Sequence, residues 1–120
     1  MAKYVDGYVL PIPKANLAIY RAMARKASKV WKDHGALEYR ECVGEDLDVK
    51  FGLTFPKGIK IKPNETVVFA WIVYKSRAHR DQVNAKVMQD PRIAKMCDPK
   101  NPPFDFKRML VGGFEVIVEA

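Results

Sequence analysis

The chain has 120 residues, of which 48% are hydrophobic and 29% are charged, and its formal net charge at pH 7 is +7. This composition is typical of a single folded domain and excludes a disordered chain. No apolar run approaches the roughly 18 to 20 residues of a membrane span, and the N-terminus is charged where a signal peptide is apolar, so we expect one cytoplasmic domain over residues 1–120 that does not enter a membrane.

The basic charge permits binding to nucleic acid or to acidic metabolites. The lysines and arginines are nevertheless spread along the chain without a dense run, which favours a solvated basic surface. Cys42 and Cys97 are far apart, and with the two histidines they do not form the spacing of a metal site. We therefore expect no metal and no cofactor, and two reduced cysteines, with Cys42 in a strand and Cys97 in a loop.

Hydrophobic periodicity divides the chain into six predicted elements. In chain order they are a strand over 4–10, a helix over 16–34, a strand over 36–43, a strand over 66–74, a helix over 76–89 and a strand over 110–119. Pro11 and Pro13 should end the first strand. Gly35 should end the first helix. Ser76 is a suitable N-cap for the second helix, which should end at Asp90. Val83, Val87 and Ala94 are expected to form the buried stripe of this second helix. The connection over 44–64 is long enough to carry function or an added short element.

The order strand–helix–strand, long connection, strand–helix–strand is that of a ferredoxin-like domain. We expect an α+β fold, βαββαβ, in which two helices cover one face of a four-stranded antiparallel sheet. The strand over 66–74 is apolar on both faces, so it should be central and covered on both sides. A second copy of the chain is the expected cover, and the resulting homodimer would be a dimeric α/β barrel with an enclosed lumen.

Strand alternation predicts which residues face this lumen. On the first strand, the small aliphatic row that contains Val5 and Val9 suits helix packing, which leaves Asp6 and Tyr8 toward the lumen. On the strand over 66–74, the row of Val68, Ala70 and Ile72 should lie under the helices and the row of Phe69 and Trp71 should face the lumen. Asp6 and Trp71 are therefore expected to share one space.

The predicted lumen side chains have two interpretations each. A carboxylate on a central strand is costly to bury unless it is paired, so Asp6 is either a base or ligand anchor or, the interpretation we favour, half of a structural pair with an arginine or lysine. The faces of the second strand are ambiguous, so Glu41 is either a second lumen carboxylate that does acid–base work or a solvated residue of an edge strand. Arg80 and Asn84, one turn apart, form either an anion site or a salt-bridged helix surface, which we favour.

Nine short segments together form a specific pattern. They are Tyr-Val-Asp-Gly-Tyr at 4–8, His-Gly-Ala-Leu at 34–37, Glu-Cys at 41–42, Gly-Glu-Asp at 44–46, Val-Val-Phe-Ala-Trp-Ile at 67–72, Arg-Asp-x-x-Asn-x-Lys-x-Met at 80–88, Asp-Pro-Arg at 90–92, Pro-Phe-Asp-x-Lys-Arg-Met at 103–109 and Gly-Gly-Phe at 112–114. In these segments the chain resembles the YbaA-like family of uncharacterised bacterial proteins, nearly from end to end. The resemblance implies a ferredoxin-like, dimeric α/β-barrel fold, similar in architecture to small cofactor-free monooxygenases, haem-degrading enzymes and stress-responsive barrel proteins, but no particular reaction.

The function expected from these observations is binding of a small organic molecule in the lumen. By analogy with the superfamily that the chain resembles, the chemistry would be monooxygenase-like or isomerase-like and would need no bound cofactor. The residues assigned to it are Asp6 and Glu41 in catalysis and Tyr8, Trp71, Arg80, Asn84 and Arg108 in ligand binding. Arg108 belongs to a charged turn that should also fasten the dimer and close one end of the lumen. RNA binding is an alternative, because RNA-recognition modules share the fold, but the strand over 66–74 lacks their aromatic motif. A structural or regulatory dimer without catalysis is another.

Overall fold

The computed structural model describes residues 2–96 and 98–120, so our expectation for Cys97 lies outside the described residues. In chain order the elements are β1 (Tyr4–Pro13), α1 (Leu17–Asp33), β2 (Glu38–Val43), α2 (Phe55–Gly58), β3 (Glu65–Tyr74), α3 (Arg77–Gln89), α4 (Pro91–Ala94) and β4 (Leu110–Glu115). Single 3-10 turns at Lys14–Asn16 and Phe106–Arg108 precede α1 and β4. None of the helices in this part of the chain is long and apolar enough to cross a bilayer.

The four strands form one antiparallel sheet in the order β2-β3-β1-β4. This order and the βαββαβ sequence of the main elements confirm the predicted ferredoxin-like α+β fold. The predicted central position of β3 is correct, since β3 pairs with both β1 and β2. The two added helices, α2 and α4, are single turns: the first lies in the long connection and the second directly follows α3.

Two predicted boundaries are wrong. β1 continues through Pro11 to Pro13, where it still pairs with β3, whereas β4 pairs with β1 only as far as the match of Val9 with Leu110. Beyond that point no other strand of the described residues pairs with this edge of β1, and a proline without an N–H group is tolerated there. β4 in turn ends at Glu115 and not at residue 119.

The second helix also differs in part from the expectation. Ser76 caps α3 by accepting a hydrogen bond from the backbone N–H of His79, as predicted. Val83 and Val87 are buried, but Ala94 is exposed because the chain turns at Asp90 and begins the separate helix α4. The buried stripe of α3 is therefore short.

The core lies between α1, α3 and one face of the sheet, which we call the helix face. One buried cluster consists of Leu10, Ile12, Tyr20, Ala24, Val68 and Phe104. The other consists of Val30, Ala36, Ile72, Tyr74, Val83 and Val87. The members from β3 confirm that its row of Val68, Ala70 and Ile72 lies under the helices, as predicted.

The predicted orientation of β1 is wrong. Asp6 is matched with Ile72 and Tyr8 with Ala70, and matched residues of neighbouring strands point to the same face. Asp6 and Tyr8 therefore lie on the helix face, while the aliphatic row lies on the opposite side. The opposite side, which we call the open face, carries Trp71, so Asp6 and Trp71 do not share a space.

The open face exposes apolar side chains. Phe69 of β3, Leu110 and Phe114 of β4 are each about half exposed or more. α2 covers one part of this face, where the rings of Phe55 and Phe69 lie 6.2 Å apart. The remainder is an uncovered apolar surface on one side of the sheet.

Candidate functional site

A partly open cavity of about 250 Å³, which we call the inner cavity, lies between the helix face of the sheet and α1. Its walls are largely apolar and aromatic. They include Trp31 from α1 and, from the segment that precedes β4, Phe104, Phe106 and Met109. The segment over 103–109 therefore contributes to a cavity on the helix face and not to a lumen.

The floor of the inner cavity is one row of residues across three strands. Tyr8 of β1 and Glu41 of β2 are both matched with Ala70 of β3. Because the alanine side chain is a single methyl group, the row leaves space between a phenol on one side and a carboxyl group on the other. The register of the sheet thus resolves the ambiguity of the second strand: Glu41 lies on the helix face.

The carboxyl group of Glu41 is held by two phenols. Tyr20 donates a hydrogen bond of 2.7 Å to Oε1, and Tyr39 donates one of 2.8 Å to Oε2. Burial raises the pKa of Glu41, and these two hydrogen bonds, which favour the carboxylate, offset part of the rise. Burial and the charge of Glu41 also raise the pKa of both tyrosines, so the phenols remain donors. The arrangement suits a group that accepts and returns a proton.

Tyr8 lies between two carboxyl groups. It lines the inner cavity and takes part in none of the hydrogen bonds that hold Glu41 or Asp6. Burial, and then the negative charges of Asp6 and Glu41, raise its pKa to about 12. A phenol that stays neutral at pH 7 can donate a hydrogen bond to a molecule in the cavity.

A second depression, the outer groove, has a volume of about 750 Å³ and runs between α1 and β2. It shares Tyr20, Ala24, Tyr39 and Glu41 with the inner cavity. The hydrogen-bonded bridge from Tyr20 through Glu41 to Tyr39 therefore stands between the groove and the cavity, and both spaces reach the same carboxyl group.

Asp6 belongs to a separate buried network. Its Oδ1 lies 3.6 Å from Nη1 of Arg80, and its Oδ2 accepts a hydrogen bond of 3.4 Å from Asn84. Trp31 and Tyr74 both donate to Oδ1 of Asn84, at 3.1 and 3.2 Å. Burial raises the pKa of Asp6, while the charge of Arg80 and the hydrogen bond from Asn84 oppose the rise. The network ties α1 and α3 to the sheet, as in the structural interpretation of Asp6.

The arginine of this network comes from α3. Arg80 also lies over the ring of Tyr4, with its guanidinium carbon 4.9 Å from the ring centroid. Its Nε is 3.1 Å from Asp81 but forms no hydrogen bond there. Arg80 and Asn84 therefore point at the sheet, not at the mouth of a lumen.

Arg108 forms an ion pair within the chain. Its guanidinium donates two hydrogen bonds to Glu65, at 2.7 and 2.9 Å, and a third of 3.2 Å to the backbone oxygen of Lys60. The hydrogen bonds from Arg108 lower the pKa of Glu65. The charged turn thus fastens the segment before β4 to the start of β3, and this contact involves no partner chain.

Of the residues proposed from the sequence, the structure brings Glu41 and Tyr8 together at one cavity. Asp6 lies on the same face but in its own network with Arg80 and Asn84. The predicted ligand residue Trp71 lies on the open face, where its Nε1 donates a hydrogen bond of 3.1 Å to Glu38.

Three residues of the site were not predicted from the sequence, namely Tyr20, Tyr39 and Trp31. Residues two apart in a strand share a face, so the alternation of Tyr39 and Glu41 already indicated that they meet. The helical spacing of Tyr20 and Trp31 indicates only the apolar face of α1. In the described part of the chain, no group of three or more His, Cys, Asp or Glu side chains is arranged to hold a metal ion.

Two solved structures share the fold. A dimeric ferredoxin-like protein from an uncultured marine organism matches with a TM-score of 0.63 and 12% identity over 100% of both chains. A dimeric ferredoxin-like protein of unknown function from Jannaschia sp. CCS1 matches with a TM-score of 0.51 and 12% identity, covering 94% of this chain and 99% of that one. Identities this low show the fold alone.

Sequence comparison identifies the family of the chain. The uncharacterized protein YbaA of Escherichia coli K12 is 43% identical over 117 residues, which cover 98% of each chain, and that of Shigella flexneri matches to the same extent. The family model for a protein of unknown function, DUF1428, matches residues 3–106. The resemblance found in the short segments is thereby confirmed, and the chain belongs to the DUF1428 family together with the YbaA proteins.

Proposed function

We propose that this protein binds a small, largely apolar organic molecule in the inner cavity. The observation that carries the proposal is the carboxyl group of Glu41, which is held by two phenols at the edge of an apolar space. Burying an ionisable group is costly for stability, and an apolar pocket with a few convergent polar groups is typical of a ligand site.

The volume of the cavity limits the size of the ligand. An apolar cavity of about 150 Å³ accommodates a benzene molecule, so about 250 Å³ has room for one or two fused rings with a small substituent. Trp31 and Phe104 among the walls favour an aromatic body.

The polar groups support proton transfer to and from the ligand. In this proposal Glu41 accepts a proton from an acidic C–H or O–H group and returns it to another position of the same molecule. Tyr8 donates a hydrogen bond to the oxygen that gains negative charge. Such an isomerase-like reaction balances without a further reactant.

We also propose that the protein is a homodimer formed through the open faces of two sheets. The uncovered apolar side chains of β3 and β4 support this arrangement, and both fold relatives are dimeric. Because the inner cavity lies on the other side of the sheet, each protomer has its own ligand site. The proposed ligand site therefore lies on the helix face and not in a lumen between protomers.

Fluorescence titration with 2-naphthol, a neutral fused-ring phenol, tests the ligand site. Ala70→Leu fills the floor of the cavity and should weaken binding about tenfold or more, because the added side chain occupies the ligand volume. Ala22→Leu adds the same atoms on the exposed side of α1 and should leave the affinity unchanged. Thermal unfolding confirms that both variants are folded.

The role of Glu41 is tested with Glu41→Leu and a matched pair of probes. Naphthalene has the same rings as 2-naphthol but no hydroxyl group. If Glu41 bonds to the ligand, its loss weakens 2-naphthol binding and spares naphthalene. Absence of saturable binding to the wild type, or equal binding to wild type and Ala70→Leu, contradicts the proposed function.

A further inference from the structure

Two arginines line the outer groove beside the site. Arg21 and Arg25 are one helical turn apart on α1, so both side chains lie on the same side of the helix. Both are exposed. Within the described residues, Glu41 is the one acidic side chain that lines this groove, and it is already bonded to two phenols.

The pair differs from most of the other arginines in the described part of the chain. Arg80 and Arg108 each form an ion pair with a buried carboxylate. Arg92 and Arg40 also pair with acids. No ion pair joins Arg21 or Arg25 to a carboxylate in the part of the chain that the structure describes. Two adjacent guanidinium groups without an acidic partner are suited to a planar anion such as a carboxylate.

Small side chains connect these arginines with the ligand site. Ala18 lines the groove next to Arg21, and Ala24 lines both the groove and the inner cavity. A molecule in the groove therefore meets the bridge formed by Tyr20, Glu41 and Tyr39. An elongated ligand can leave its charged end at the arginines and direct its apolar end past the bridge.

We propose that the ligand is a small organic acid, whose carboxylate is bound by Arg21 and Arg25 in the outer groove and whose apolar ring enters the inner cavity. The inference rests on the proposed function and names its ligand class. The groove lies on the helix side of the sheet, so dimerisation through the open face leaves it accessible.

A matched pair of probes tests the inference. 2-Naphthoate and 2-naphthamide have the same ring system and differ in the charge of one group. In low salt, wild-type protein should bind the naphthoate more tightly, and the double variant Arg21→Gln/Arg25→Gln should weaken naphthoate binding about 5- to 10-fold, since each partly exposed ion pair contributes modestly. The affinity for the naphthamide should not change.

The control is Lys26→Gln/Lys29→Gln, which removes the same charge from exposed positions of α1 that do not line the groove. This variant should keep the preference for the naphthoate. Equal affinity of the wild type for both probes, or equal losses in the two double variants, overturns the inference. If Ala70→Leu still weakens naphthamide binding in that case, the ligand site stands without its anion preference; if neither probe binds, both proposals fail.

Discussion

Asp6 and Arg80 form an asymmetric pair. Asp6 is only 4% exposed, whereas Arg80 has a second acid, Asp81, within 3.1 Å. Removing the arginine leaves a buried carboxyl group whose remaining partner is an amide. Removing the charge of the aspartate leaves an arginine that is still near an acid. The two substitutions should therefore have unequal effects on stability.

We expect Arg80→Met to lower the free energy of unfolding by about 3 kcal/mol, the usual order for a broken buried pair. Asp6→Asn, which keeps the shape and the contact with Asn84, should change it by less than about 1 kcal/mol. The measurement is urea unfolding at pH 7 and one fixed protein concentration, because association also contributes to stability. Arg77→Met, at an exposed position of the same helix, is the control and should stay within about 0.5 kcal/mol. Equal losses in Asp6→Asn and Arg80→Met would contradict this asymmetry.

The pH dependence follows from the raised pKa of Asp6. Its pKa is 3.8 when unperturbed and higher in the folded protein. The stability that this group contributes is therefore complete below pH 3.8 and is lost as the pH rises through the folded pKa. Asp6→Asn lacks this loss, so its stability relative to the wild type should improve between acid pH and pH 7. A constant difference over that range would show that Asp6 does not titrate as inferred.

At the scale of elements, the order of strands and helices was predictable because hydrophobic periodicity is a local property. Which side of each strand faces the helices was harder to predict from the sequence. Val68, Ala70 and Ile72 were placed correctly, since a helix-facing row of β3 is apolar throughout. On β1 the aliphatic row led to the wrong face, because the helix face accommodates Asp6 only through partners from α3 that are remote in sequence. Tyr8 lies on that face because it borders the inner cavity. The same nonlocal information was needed to bring Glu41, Tyr20 and Tyr39 together.

The C-terminal segment illustrates how one ion pair joins elements. Arg108 connects the turn before β4 with Glu65 at the start of β3, and Glu65 is almost fully buried. Gly113 allows β4 to pack closely against Tyr4, since a Cβ at this position would lie 2.7 Å from the ring of Tyr4. The charged turn, which was predicted to fasten the dimer and close one end of the lumen, thus fastens the last strand within the chain.

We expect Arg108→Gln to lower the midpoint of thermal unfolding at pH 7, because Glu65 stays buried without its partner. Arg108 lowers the pKa of Glu65 below its ordinary 4.5. The stabilisation by this ion pair is therefore present above pH 4.5 and is lost as the pH falls through the pKa of Glu65 in the folded protein. The difference between variant and wild type should therefore shrink at acid pH. Lys107→Gln makes the same charge change at the exposed neighbouring position and should have little effect. A deficit of Arg108→Gln that persists unchanged at pH 3 would point to lost packing and not to the ion pair.

At the scale of the whole molecule, the two sides of the sheet differ in what they leave uncovered. The helix face is occupied by the core, the network of Asp6 and the inner cavity. The open face remains apolar, and the long connection beside it exposes Phe51, Leu53 and Phe55 at alternate positions. Adjoining exposed apolar side chains are typical of a protein interface, and in the proposed homodimer the connection would extend the interface beyond the strands.

A charge on the open face tests the homodimer. Phe114 on β4 is 61% exposed and Met88 on α3 is 63% exposed, so glutamate replaces a similarly accessible side chain on each surface. In sedimentation experiments we expect the wild type and Met88→Glu to be dimers and Phe114→Glu to be a monomer, because a carboxylate in an apolar interface is costly to desolvate. The monomer should still bind 2-naphthol, since the inner cavity lies on the other side of the sheet. A monomeric wild type, or a Phe114→Glu variant that remains dimeric, would refute association through this face and leave Phe69 and Trp71 free for a different partner, such as RNA.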